Sequence, residues 1–177
     1  MTATIQGACD ANITLLINLS HLVSLLDDEQ YNWCYRDHRS SVGRHVRHIA
    51  DHYDSFFRDL PAGNICYDNR SRDTDVEICR DTACANITRI IEVMQCIAAE
   101  SGKSLSLSVL PAANCRPLHL RSTIGRELMF LHGHTLHHMA IVQLLAEMQG
   151  LDLGATFANA PSTEQHSQPL IQAGTRS

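Results

Sequence analysis

Apolar residues recur every three or four positions at Ile13, Leu16, Leu19, Val23 and Leu26, and the acidic run Asp27-Asp28-Glu29 ends the repeat. That spacing predicts a first helix between Ala8 and Asp27. The clearest stripe follows: Val42, Val46, Ile49, Tyr53, Phe56 and Leu60, capped by Ser40 or Ser41 and stopped by Pro61. Residues 62–73 carry Gly, Asn, Asp, Arg and Ser without periodicity and read as a loop. Thr74-Asp75-Val76-Glu77 reads as a capping box opening a third helix to about Glu100, closed by Ser101-Gly102. Beyond it, alternating Leu105, Leu107 and Val109 with Pro111 and Pro117 predict an extended excursion, a short hairpin that lets helices three and four be joined by a long crossover connection. Ser122 or Thr123 then caps a fourth helix ending at Gly150, with Ile124, Leu128, Leu131, Thr135, His138 and Val142 facing inward. Four amphipathic helices in one small domain must bury their apolar faces on each other, so the expected fold is all-α, a four-helix bundle over residues 1–150. Residues 151–177, rich in Gly, Ala, Ser, Thr and Pro, are expected to form an irregular tail.

Composition narrows the function. The 177 residues suit one domain with a core of its own. Fourteen Lys and Arg against nineteen Asp and Glu give a net charge of -5, and the basic residues are scattered, which argues against a nucleic-acid partner. No run approaches the roughly 18 consecutive apolar residues of a membrane span, and Met1-Thr2-Ala3-Thr4-Ile5 lacks the basic start of a signal peptide, so a cytoplasmic chain with no membrane partner is expected. Seven cysteines with no CxxC pair fit neither a disulfide framework nor a zinc ribbon; they read as reduced thiols, mostly packed in the core, with Cys79 and Cys84 the candidates to face a cavity. Phe57 beside Phe56 gives the second helix another apolar edge, consistent with a homodimer.

Eleven histidines change the picture most. His134 and His138 are four apart, so on a helix their imidazoles share one face, roughly 6 Å apart along the axis. Two such imidazoles can hold one metal ion. An HxxxH pair alone is a weak motif, but His138 falls on the inner stripe, where a buried imidazole needs a hydrogen-bond partner or a metal. A third ligand can come from His45, His48 or His52 on the second helix. There the wheel is indecisive: His45 and His52 flank the stripe, while His48 lies about 120° from its centre and is the least buried on geometry alone. Asp51 is either an acceptor orienting a ligand or a solvent-facing carboxylate; His52 and His137 are either proton relays at a cavity rim or flank residues with no role; Arg126 and Glu127 read as an ion pair, with Arg126 holding an anionic substrate group as the alternative; and Tyr53 reads as core.

The pairing of His48-Ile49-Ala50-Asp51-His52-Tyr53 with His134-Thr135-Leu136-His137-His138 resembles the DinB/YfiT-like superfamily, with the likeness running from about Ala8 to Gly150. The resemblance implies that His48, His134 and His138 hold a divalent transition metal, zinc, nickel or iron. Met139-Ala140-Ile141-Val142-Gln143 stands where that family often continues Arg-Gly-Gln. Arg126-Glu127-Leu128 and Ala160-Pro161-Ser162-Thr163 resemble instead a subgroup to which the likeness attaches no activity. Three imidazoles leave coordination positions open, the arrangement of catalytic sites. The implied function is a metal-dependent enzyme acting on a small molecule, either a transferase using a low-molecular-weight thiol or a hydrolase. The alternative is a non-catalytic metal-binding or stress-related protein; catalytic residues beyond the ligands are not distinguished.

Overall fold

In the computed structural model, which describes residues 5–36, 40–70, 74–97 and 103–152, the first repeat becomes α1 (Ile5–Leu25). It buries Leu15, Leu16, Leu19, Leu22 and Val23. Asp27 does not merely end it: its carboxylate caps α2 (Asp28–Asn32), and the Gln30 side chain returns the bond to the Asp27 amide. This short helix is absent from the apolar pattern. Ser41 caps α3 (Val42–Asp59), whose Val42, Val46, Ile49, Tyr53 and Phe56 are all buried. Lys103 closes its far end by donating to the carbonyls of Leu60 at 2.9 Å and Pro61 at 2.7 Å, a cation where the helix dipole is negative.

The third helix starts at Thr74 but is two pieces, α4 (Thr74–Ile78) and α5 (Arg80–Ile97). The break has a cause in α2. Tyr31 Oη donates to the Val76 carbonyl at 2.7 Å and Asn32 Nδ2 to the Ile78 carbonyl at 3.1 Å, acceptors that an unbroken helix would reserve for residues four further on. Gly43 allows this close approach: a Cβ there would lie 2.0 Å from the Glu77 carbonyl oxygen and 2.8 Å from the Tyr31 ring. Any larger residue would push α3 and α4 apart.

The hairpin forms from β2 (Ser104–Val109) and β3 (Leu118–Thr123), antiparallel, with Leu107 opposite Leu120. The stretch expected to be all loop contributes β1 (Asn64–Ile65), which pairs parallel to β2 and completes a three-stranded sheet in the order β1-β2-β3. Two residues carry too little pattern to announce a strand. Thr123 caps α6 (Ile124–Glu147), and Gly150 turns the chain after it with φ +85°.

The protein is mostly helical with this small sheet. Helix α1 packs between α5 and α6, and α3 packs between the same two, so α1 and α3 stand on opposite corners, as do α5 and α6. The connection carrying the hairpin therefore crosses between diagonal helices. By length and a mean hydropathy of 1.2, α1 alone among the described helices could cross a membrane, but here one face lies in the core. Of the cysteines only Cys9 is buried; Cys79, Cys96 and Cys115 are exposed, against the expectation of core packing, and all seven are free. Residues 153–177 of the expected tail and the Ser101-Gly102 stop lie outside the described residues.

Candidate metal centre

Helices α3 and α6 are neighbours, and each carries two histidines one turn apart that face the other helix. Around the ring formed by His48, His52, His134 and His138, neighbouring imidazole centroids are 4.5, 4.0, 4.6 and 4.5 Å apart, and the His48 to His134 diagonal is 5.0 Å. Ligand nitrogens of His48, His52 and His134 all lie within 4.8 Å of one another, close enough to hold one metal ion. Of the three histidines named by resemblance, His48 and His134 belong to this set and His52 completes it, while the His138 ring stands beside it, 4.5 Å from His48 and 4.6 Å from His134 by centroid. His52 stands to His48 as His138 stands to His134, and this repeated spacing was the signal for it.

Burial sets the protonation of the cluster. Withdrawal from water, then the neighbouring imidazoles, hold His134 and His138 down to about 3 from an ordinary 6.5. His48 and His52 fall to about 4, mainly through burial, with Arg70 pressing on both. All four rings are neutral at neutral pH and offer lone pairs. His134 Nε2 is buried without a hydrogen-bond partner. A polar atom left so in a protein interior costs roughly 1–3 kcal/mol, and an ion accepting its lone pair would offset that.

The other nitrogens are engaged unequally. His52 Nδ1 faces the His48 carbonyl at 2.8 Å and must carry the proton; its Nε2 then accepts from Arg70 Nη1 at 3.3 Å. His138 Nδ1 meets His45 Nδ1 at 2.8 Å, and His45 Nε2 meets the Ser40 hydroxyl at 2.8 Å. With His138 Nδ1 donating, His45 passes the polarity on to Ser40 and leaves His138 Nε2 as a lone pair. His45 is then a support of the kind ligating imidazoles ordinarily receive from a carboxylate or a carbonyl.

Several neighbours differ from expectation. His138 is half-buried at the edge of the inward stripe, where Met139 takes the inner place, because Thr135, Met139 and Val142 follow the core face more closely. Asp51 does not face solvent: it is 4% exposed and pairs with Arg47 at 3.2 Å, which also reaches Glu77 at 2.8 Å. His137 is exposed. Glu127, expected as half of an ion pair, makes that pair with Arg126 at 2.9 Å but is itself wholly buried, accepting from Tyr67 Oη at 2.9 Å and from the Ser122 hydroxyl. Its place three residues after Ile124 puts it on the inward face, which the sequence could have told.

Two cavities flank the ring. One of about 290 Å³ is lined by His52, Tyr67, Arg70, Arg126 and Phe130 with residues of the hairpin; the other, about 270 Å³ and more open, by Arg44, His45, Arg47, His48 and His138. Neither Cys79 nor Cys84 lines them.

The sequence pattern of the DinB superfamily matches residues 17–142, a span that holds both histidine-bearing helix segments. The chain belongs to the DinB superfamily. A further similarity, 31% identity over 105 residues, links 56% of this DinB chain to FK506-binding protein 5 of Rhizopus delemar and covers 26% of that protein. The chain thus spans about a quarter of the length of that curated relative. No solved structure matches it. Family membership and the clustered imidazoles are together compatible with a metal site.

Proposed function

We propose that this chain is a DinB-type four-helix bundle in which His48, His134 and His138 hold one divalent transition metal, zinc, nickel or iron, and that it is an enzyme acting on a small molecule. The observation that carries the reading is the buried, partnerless Nε2 of His134 among neutral imidazoles. His138 is favoured over His52 as the third ligand because both nitrogens of His52 are already engaged, whereas His138 keeps Nε2 free. A donor set of imidazoles alone suits each of these metals and selects none.

Bound there, the ion supplies Lewis acidity toward a water or a thiol cosubstrate. The protein's part is positional. His45 and Ser40 fix the tautomer and plane of His138, and the His48 carbonyl holds His52 with its Nε2 lone pair toward Arg70. Helix-to-helix packing of Ile49, Tyr53, Leu131 and Thr135 beneath the ring keeps the two histidine pairs in register.

Elemental analysis of protein purified without an affinity tag tests the site. About one transition ion per chain is expected in wild type, with loss in His48→Ala, His134→Ala and His138→Ala. Unchanged content in all three variants would remove these ligands; His52→Ala losing metal while His138→Ala keeps it would exchange the third. Turnover of thiol-dependent against thiol-independent substrates by the loaded protein then separates a transferase from a hydrolase, and metal without turnover would favour a binding protein.

A further inference from the structure

The cavity on the His52 side has two unlike ends. Its apolar wall comes from the hairpin and α6: Leu107 and Val109 on β2, Leu120 on β3, and Phe130. Its polar end is Arg70 and Arg126, with His52 between this space and the histidine ring. The arginines are not equivalent. Arg126 is neutralised by Glu127 at 2.9 Å and lies over the Phe130 ring at 5.4 Å, so it closes the wall more than it offers charge. Arg70 touches only neutral acceptors: Nη1 donates to the Tyr67 carbonyl at 3.0 Å and to His52 Nε2 at 3.3 Å, and its buried Nε has no hydrogen-bond partner. Among the described residues no carboxylate stands within ion-pair distance of it. A guanidinium so placed has a whole charge to give.

We propose that this cavity is the substrate pocket of the centre and takes a small monocarboxylate with an apolar body, the carboxylate on Arg70 and the body along Leu107, Val109, Leu120 and Phe130. The assignment deepens the metal-centre reading and relies on it only for which end of the ligand meets the ion. A guanidinium fork suits a carboxylate or a phosphate equally. Charge decides between them: Asp68 lines the cavity, held by the Leu110 amide at 2.8 Å, and repels a doubly charged phosphate more than a singly charged carboxylate, while the pair of Arg126 and Glu127 adds no net charge. The volume, about 290 Å³, is at the small end for ligand sites and leaves room for a body of a few carbons.

Titration calorimetry with hexanoate, propionate, hexyl phosphate and hexylamine, on metal-loaded and on chelator-treated protein whose metal content is measured separately, tests this. Hexanoate should bind both forms, about ten times or more tighter than propionate because extra methylenes leave water. Hexyl phosphate should bind more weakly and hexylamine not measurably. Arg70→Met should weaken hexanoate about tenfold or more. Leu120→Asn, at a position 47% exposed on β3 and therefore safe for folding, should erase the advantage over propionate without touching the charge preference. Tighter hexyl phosphate, equal hexylamine, or hexanoate binding that survives Arg70→Met would overturn the assignment. Hexanoate bound to protein that never holds metal leaves the pocket standing and ends the metal reading; a metallated protein that ignores hexanoate does the reverse.

Discussion

Two polar clusters lie between α3 and α6, and they are finished differently. In the core, Tyr53 Oη donates to Asn12 Oδ1 at 2.7 Å, which leaves Thr135 Oγ1 to donate to Tyr53 at 3.0 Å, while Asn12 Nδ2 serves the carbonyls of Ala8 at 2.8 Å and Leu128 at 3.1 Å. Every side-chain polar atom of that trio has its answer. One residue away on each helix, His52 beside Tyr53 and His134 beside Thr135, the histidine ring is also withdrawn from water, yet His134 Nε2 has no partner. Burial is common to both; closure is not. A closed network ties α1, α3 and α6 into one unit, whereas an open valence costs stability that only a bound partner returns.

The largest expected effects come from exchanging the two behaviours. His134→Leu should abolish metal binding yet leave the metal-free protein as stable or more so, by about 1–2 kcal/mol, since an orphaned nitrogen is replaced by an apolar side chain. Urea unfolding of chelator-treated wild type and variant measures this. A variant clearly less stable than wild type would show that His134 is partnered in solution and that the contrast is false.

Acid comes next. His48 and His52 sit at about 4 and His134 and His138 at about 3 when folded, against 6.5 when unfolded. Below pH 6.5 the unfolded chain therefore binds protons that the folded chain refuses, so metal-free stability falls as pH drops from about 6.5 toward 4 and further toward 3. Above 6.5 these four groups contribute no slope. Unfolding curves at pH 7.5, 6 and 5 should show the fall, and His48→Ala/His134→Leu should flatten it. A profile level down to pH 5 would mean the imidazoles are more solvated than their packing implies.

The closed cluster answers in the other direction. Tyr53→Phe removes a hydroxyl that joins Asn12 and Thr135, leaving a buried amide oxygen without its donor. A loss of about 1–3 kcal/mol in urea unfolding is expected, with metal content unchanged. Metal loss on that substitution would mean the core network sets the register of the ring, and the two regions would be one.

How much of this was legible in the sequence follows from what each element depends on. The stripes of α1, α3 and α6 are local and long, so Val42 through Phe56 and the caps Ser41 and Thr123 could be read from spacing. The split at Cys79 could not, because it is imposed by Tyr31 and Asn32 reaching across from α2. Nor could β1, two residues long and paired only because β2 runs beside it. At the ring, HxxxH spacing pointed to His134 and His138, and the wheel left the α3 ligand undecided. The wheel ranks burial against the helix's own stripe, whereas His48 and His52 face α6, a neighbour that no single helix encodes.

His45 gives the finest discrimination, because it belongs to the ring by place and to the closed cluster by bonding. Both its nitrogens are engaged, with His138 Nδ1 and the Ser40 hydroxyl each at 2.8 Å. If it serves His138 as an acceptor, His45→Ala keeps all three proposed ligands but frees the His138 ring to turn and to change tautomer, so metal should still bind, weakened about tenfold and at most 100-fold. His45→Asn, which can offer its side-chain oxygen to the same Nδ1–H, should recover part of that loss. Competition against a chelator of known affinity reads both. Loss as complete as in His134→Ala would make His45 a ligand, and no change at all would mean that His138 does not need orienting and that the third ligand is His52, already held by the His48 carbonyl and Arg70.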